Sequence, residues 1–206
     1  MGVEERKRKE KLDRHNAILM AAEKIMQEGG LHSLNMDRVA QESQLAKGTL
    51  YLYFKSKEEI LAELSLKSRN LLFVEFDTAV QRETDPIRQI RSLLEANYHF
   101  HKKFPLYYDL VSLYELNNQL VESPELQAAS YRITELVIGI ANNAKRIGSL
   151  KDEVDPLLFS MALWGMTVGM IQFIKVRGPI ILKYQGITER QIIDGYLDLL
   201  ESGYKK

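Results

Sequence analysis

The sequence predicts an all-α fold, with three helices in an N-terminal head and six in a C-terminal body. Three observations predict it. Apolar residues recur at helical spacing throughout, and no alternating apolar and polar run is long enough to compete as a strand. Asp85-Pro86, Ser123-Pro124 and Asp155-Pro156 each set a capping side chain ahead of a proline at the first helical position, where the missing N–H is harmless. Between Asn35 and Ile60, two short amphipathic stretches are joined by a tight turn and run at once into a further helix start.

The elements follow in order. The first helix is expected over about Leu12 to Glu28, burying Ile18, Ala22, Ile25 and Met26 and stopping at Gly29-Gly30. Met36, Val39 and Ala40, at i, i+3 and i+4, give a second helix of about two turns. Ser43, Gln44 and Leu45 make a turn, with Leu45 as a plug between helices. A third helix runs from Ala46 to Phe54, its inward pair being Leu50 and Phe54. Ser56 with Glu59 reads as a capping box for a fourth helix, from Lys57 into the low eighties. The three capped prolines start helices of the body, Phe104-Pro105 marks another break, and Thr188 with Gln191 caps a last helix to about Ser202.

Composition narrows the function classes. Of 206 residues, 45% are hydrophobic, enough for a substantial core, and there is no cysteine, which excludes disulfides and thiolate chemistry. The charged N-terminus has no signal-peptide core, so a cytoplasmic location is expected. Net charge is zero, and residues 1–60 carry 11 basic and 10 acidic side chains. Any affinity for nucleic acid must therefore come from local placement and not from a global field. The stretch Val3 to Arg14 holds six basic and four acidic residues, which reads as a solvated end or as an arm trailing along DNA.

The helix-turn-helix carries the most specific chemistry. With Leu50 and Phe54 inward, the opposite side of the third helix presents Gly48, Thr49 and Leu52. Gly48 permits close approach, while Lys47, Tyr51 and Tyr53 flank that side, where a cation and two phenol hydroxyls reach phosphates bordering a groove. From Ser43 to Lys57 there are three lysines and no acid. This geometry places a helix in the major groove of DNA.

The same stretch resembles the DNA-binding domain of the TetR family of bacterial transcriptional regulators. Gly29-Gly30, then Gly48, Thr49, Tyr51, Phe54, Lys57 and Ile60 stand at the spacings of that family's glycine-ended first helix and its G-T-x-Y-x-x-F-x-x-K-x-x-L segment. The resemblance covers about forty-five residues. It implies that Lys47, Gly48, Thr49, Tyr51, Tyr53 and Lys57 lie at the DNA surface. It also implies a division into a helix-turn-helix DNA-binding domain, residues 1–55 with a charged arm at 1–14, and an effector-binding and dimerisation domain, residues 56–206. Two departures stand out: Ser43-Gln44 replaces the family's common Ala-Gly turn, and Ala46 stands where a serine commonly caps the recognition helix.

In the body, Pro156 to Ile174 has no charged residue for nineteen positions. Ser160, Thr167, Gln172, Gly165 and Gly169 favour an interface helix, apolar on two sides, over a membrane span. The last helix shows a matching stripe of Ile193, Tyr196, Leu197 and Leu200, and in the family the last two long helices of each subunit pair into a four-helix bundle. A homodimer is expected, with no membrane partner. His99 and His101 diverge by about 160 degrees on a helix and cannot share one ion unaided. No metal or other cofactor is expected.

The body's aromatics read first as core. The functional alternative is a pocket walled by Phe100, Phe104, Tyr107, Tyr108, Tyr114 and Trp164, taking a small apolar or aromatic effector, with Asn97, Asn117 and Gln172 as candidate polar groups. The expected function is a ligand-responsive transcriptional regulator, a repressor by the family's usual outcome, binding a near-palindromic double-stranded operator as a homodimer. The alternative is a helical enzyme or carrier for an apolar molecule. The chain shows no nucleophile elbow, phosphate loop, H-E-x-x-H or Glu-x-x-His, so an enzyme is not expected.

Overall fold

The computed structural model describes residues 2–115 and 122–206. Nine α-helices run through them: α1 Val3–Gly29, α2 Met36–Glu42, α3 Lys47–Tyr53, α4 Lys57–Val80, α5 Pro86–Lys103, α6 Pro105–Glu115, α7 Pro124–Arg146, α8 Pro156–Gln185 and α9 Glu189–Tyr204. A single 3₁₀ turn, Leu31–Ser33, joins α1 to α2.

Packing divides the chain into two compact units, one of Met1–Ser68 with Leu106–Leu126 and one of Arg69–Pro105 with Gln127–Lys206. The division does not follow the expected boundary at residue 55. The first half of α4 and most of α6 belong with the head, because Ile60, Leu61, Leu64 and Leu110 complete the core begun by Ile18, Ile25, Val39, Leu50 and Phe54. Burying each such side chain stabilises the unit by about 1.5–3 kcal/mol.

α1 starts at Val3, nine residues before its expected start. Glu4 and Glu5 complement the helix dipole in the first turn, and Arg6 pairs with Glu10 at 3.5 Å, so charge supports a turn that no apolar pattern announces. α1 ends because Gly30 takes φ 78, and Gly29 before it has no room for a side chain, since a Cβ there would lie 2.7 Å from that of Ser33.

Two of the three capped proline starts, those of α5 and α8, lie in the second unit: Asp85 accepts from Arg88 N–H and Asp155 from Leu158 N–H, each at 2.9 Å. Ser123 accepts from Leu126 N–H at 3.2 Å ahead of α7, in the first unit. Thr188 and Gln191 form the expected reciprocal capping box. α8 is longer than the charge-free stretch, continuing through Pro179 to a left-handed Gly186. α5 is tied to α9 by Arg91 to Asp198 at 2.8 Å and Glu201 at 3.4 Å, and by Lys102 to Glu189 at 2.8 Å. These pairs are partly exposed, so they fix register more than they stabilise.

Candidate nucleic-acid interface

The helix-turn-helix is built from the inside out. Asn35 caps α2, its side chain accepting from Arg38 N–H at 2.9 Å. Ser43 closes that helix by donating to the Val39 carbonyl at 2.6 Å, and Leu45 returns its N–H to the Ala40 carbonyl at 2.9 Å. Gln44, between them, has φ 56, the left-handed conformation that a glycine takes more cheaply. Leu45 packs half-buried against the head core, as a plug should. Ala46 precedes α3 in extended conformation and offers no side-chain cap.

Leu50 and Phe54 are buried, which turns the other side of α3 outward. Leu52 is 77% exposed and Tyr51 36%. Lys47 and Gly48 are exposed, and nothing lies within 4 Å of a Cβ built on Gly48. Thr49 is half-buried. Lys55 and Lys57 stand exposed beyond the end of α3, with the Lys55 ammonium donating to the Tyr51 carbonyl at 3.1 Å. The structure therefore brings Lys47, Gly48, Tyr51, Leu52 and Lys57 to the open surface of the first unit, with Thr49 at its edge.

Tyr53 is different. It is half-buried and packs against the head core. Standing three residues after Leu50, it shares that residue's face, so in place of the expected exposure beside Tyr51 its ring lies on the core with only part of its surface free.

Asp37 is a functional neighbour that the spacing within α3 did not reveal. Its carboxylate, on α2, pairs with Lys47 at 2.5 Å. That hydrogen bond, then the Coulomb attraction, raises the Lys47 pKa, so the ammonium stays charged. The cap of α4 also differs from expectation. Glu59 accepts from Lys55 N–H at 2.6 Å, one residue earlier than a Ser56 box would have it, and the Ser56 hydroxyl instead bonds the Glu58 carboxylate, holding its pKa down after the larger effect of Glu58's own backbone N–H.

The six candidate effector residues fall in both units. Phe100 and Phe104 are brought together, centroids 5.4 Å apart, with Phe100 buried and Phe104 half-buried. Trp164 is half-buried in the same unit. Tyr107, Tyr108 and Tyr114 belong to the first unit. There the Tyr107 hydroxyl donates to Glu23 at 2.9 Å, and Lys67 sits 5.2 Å from the Tyr107 ring centroid, an arrangement that anchors α6 to α1 and α4. Tyr108 is buried and Tyr114 half-buried. Asn97 is 1% exposed, and its Oδ1 has no hydrogen-bond partner. Gln172 is half-buried, while Asn117 lies outside the described residues.

α8 is the one helix, among the described residues, long and apolar enough to cross a membrane by length and composition. Its two sides differ. Leu163, Thr167, Val168, Ile171 and Ile174 are buried within the unit, whereas Leu157, Met161, Gly165, Gly169 and Phe173, at successive i+4 positions, form an exposed row. Among the described residues, no group of three or more His, Asp or Glu side chains could hold a metal ion.

Residues 18–64 match the family described as bacterial regulatory proteins, tetR family. An uncharacterised HTH-type transcriptional regulator of Haemophilus influenzae is 27% identical over 108 residues, 52% of this chain and 58% of that one. The fatty acid metabolism regulator protein of Bacillus subtilis is 39% identical over 56 residues, 27% of this chain and 29% of the relative. The chain thus spans little more than half of the first relative and under a third of the second. Among solved structures, AibR in complex with isovaleryl coenzyme A and operator DNA superposes with a TM-score of 0.69 at 20% identity, over 90% of this chain and 97% of that one. FadR of Bacillus subtilis with stearoyl-CoA gives 0.69 at 20%, over 91% and 97%. At such identities the likeness is one of fold.

Proposed function

This chain belongs to the TetR family of bacterial regulatory proteins, and from that premise we propose that it represses transcription as a cytoplasmic homodimer released from its operator by a small apolar effector. The observation that carries the reading is the outward side of α3, where Lys47, Gly48, Tyr51 and Leu52 stand free of the core on a helix held rigidly by Leu50 and Phe54. Such a helix enters a major groove with its side chains at base edges, while Lys57 and the phenol of Tyr51 meet phosphates. Thr49 and the free part of Tyr53 complete the DNA-binding set, which lies within residues 1–55 apart from Lys57 at the start of α4.

Residues 56–206 form the effector-binding and dimerisation domain in this reading. The exposed apolar row of α8, from Leu157 to Phe173, pairs with its copy in a second subunit, and the open space above Gly165 and Gly169 lets two helices approach closely. The effector contacts Phe100, Phe104 and Trp164 within the second unit. Structural neighbours hold isovaleryl coenzyme A and stearoyl-CoA, whose apolar acyl chains match the aromatic residues proposed here, so acyl thioesters of short and long chain, beside the free acids, are the first probes. Effector and operator weaken each other's binding by the same factor, typically 5- to 150-fold, or about 1–3 kcal/mol.

The test is to recover duplexes that the full-length protein retains from genomic fragments, then titrate them with and without each acyl-CoA. Retention of a shared near-palindrome by a dimer, weakened by one thioester, is the expected result. Sequence-independent retention by a monomer would refute the assignment.

A further inference from the structure

The long N-terminal extension of α1 has no part in the head's core, yet its charges are ordered. Lys7, Lys11 and Arg14 follow one another at i, i+4 and i+7, and the same row continues as Ile18, Ala22 and Ile25, the buried stripe of α1. One side of one helix therefore changes from core to cation where the head ends. Residues 2–14 are all exposed. The row itself holds no acid, and Glu10, which flanks it one turn from Lys7 and from Arg14, is paired to Arg6 at 3.5 Å.

The place where the extension leaves the head is fixed by His15. Its ring stacks on Phe54 with centroids 4.9 Å apart, and its Nε2 hydrogen-bonds with Glu63 at 3.1 Å. Phe54 is the residue that ends α3. Helical rise then sets Lys11 about 6 Å and Lys7 about 12 Å along the axis from that anchor. The row therefore begins next to His15, the residue whose ring stacks on the end of the recognition helix.

We infer that Val3 to Arg14 is a phosphate-binding arm that lies along the duplex backbone outside each half-site, held by Lys7, Lys11 and Arg14. It rests on the reading of α3 as the groove-binding helix. An arm of twelve residues spans about 18 Å, or about five base pairs, so it needs DNA beyond the bases that α3 reads. Lys7, Lys11 and Arg14 carry cationic N–H donors on long flexible stems, and on an arm lying along the outside of the duplex they meet phosphate oxygens and not base edges, so the arm recognises charge and not sequence. It supplies local field to a chain whose net charge is zero.

The probe is a duplex enriched from a random-sequence pool by the full-length protein, made in two forms: trimmed to the enriched bases, and extended at each end by about ten base pairs of arbitrary sequence. The wild-type protein should bind the extended form more tightly, whatever the added sequence. Lys7→Gln/Lys11→Gln/Arg14→Gln should abolish that preference and reduce the salt slope by up to about 5, at roughly 0.9 for each of six contacts in a dimer. The enriched consensus should stay the same. Arg6→Gln/Arg8→Gln/Lys9→Gln removes the same charge from the other sides of the helix and should leave most of the slope and the length preference. Equal loss in the two variants, or no length preference in the wild type, overturns the arm while leaving α3 in place. Failure to enrich any sequence overturns the reading on which the arm rests.

Discussion

The hydroxyls of Thr167 on α8 and Tyr196 on α9 lie 2.9 Å apart in a buried seam. Thr167 spends its one proton on the Leu163 carbonyl, at 2.6 Å, so the phenol is the donor between the two. Thr167→Val keeps the shape and strands that phenol, at a cost of about 1–3 kcal/mol. Adding Tyr196→Phe should recover part of the loss, giving a coupling of about 1 kcal/mol in a double-mutant cycle by urea denaturation. Additive losses would show that the pair is not a bond.

On α3, Tyr51 and Tyr53 separate DNA binding from stability. Tyr51→Ala should weaken binding to a retained operator by about tenfold while the unfolding midpoint moves by less than about 0.5 kcal/mol. Tyr53→Ala removes a ring packed on the head core and should cost about 1–3 kcal/mol in stability before DNA is added. Titration and thermal unfolding of the two variants check this. Equal unfolding losses would contradict the difference in burial.

That difference shows what the sequence reveals and where it stops. The capped prolines were legible because Asp85, Ser123 and Asp155 act on backbone only three residues away, and the inward set of α3 was legible from a local period. Tyr53 was not, because the pair Leu50 and Phe54 already fills an inward face and the added breadth of the core comes from distant helices. The first nine residues of α1 carry no apolar period, only charge pairs that a disordered end also has. Asp37 meets Lys47 across a turn, and the aromatics of α5 and α6 divide between units through long-range packing. No spacing within one helix encodes either relationship.

Gln44 offers a stabilising change. Its φ of 56 costs a residue with a Cβ about 1–2 kcal/mol, while glycine loses about 0.5–1 kcal/mol of that advantage to unfolded-state entropy. Gln44→Gly should therefore raise stability by about 0.5–1 kcal/mol, read as a higher denaturation midpoint. A lower midpoint would mean that the turn carries no strain.

Alkaline pH should unfold the body. Burial raises the pKa of Tyr196 and Tyr204 above the ordinary 10.0, and Glu201 adds to the effect at Tyr204. Below 10.0 both states keep the phenol protons and the stability is fully present. Above it the unfolded chain ionises first, so stability falls as pH rises. Urea midpoints measured from about pH 8 to about pH 11 should fall only in the upper part of that range. Tyr204→Phe should flatten the decline. A wild-type midpoint independent of pH there would refute the claim.

Asn97 is the strongest candidate for a buried group not matched by its surroundings. It stands on α5 at 1% exposure, three residues before Phe100, and its Oδ1 accepts no hydrogen bond. An acceptor stranded in this way costs about 1–3 kcal/mol, whereas an apolar side chain of similar shape costs nothing in desolvation. Asn97→Leu should therefore leave stability unchanged or raise it by about 1 kcal/mol, unlike most changes at a buried polar position. Asn97→Asp should do the opposite, because a carboxylate at the same place would be charged near neutrality with no cation supplied, and the loss should shrink as pH falls and the group protonates. Urea denaturation of both variants at about pH 5 and about pH 8 separates the outcomes. A loss above about 2 kcal/mol in Asn97→Leu would mean that the oxygen is bonded after all. A gain would identify it as an acceptor held open in the body, available to a hydrogen-bond donor on an effector that is otherwise apolar.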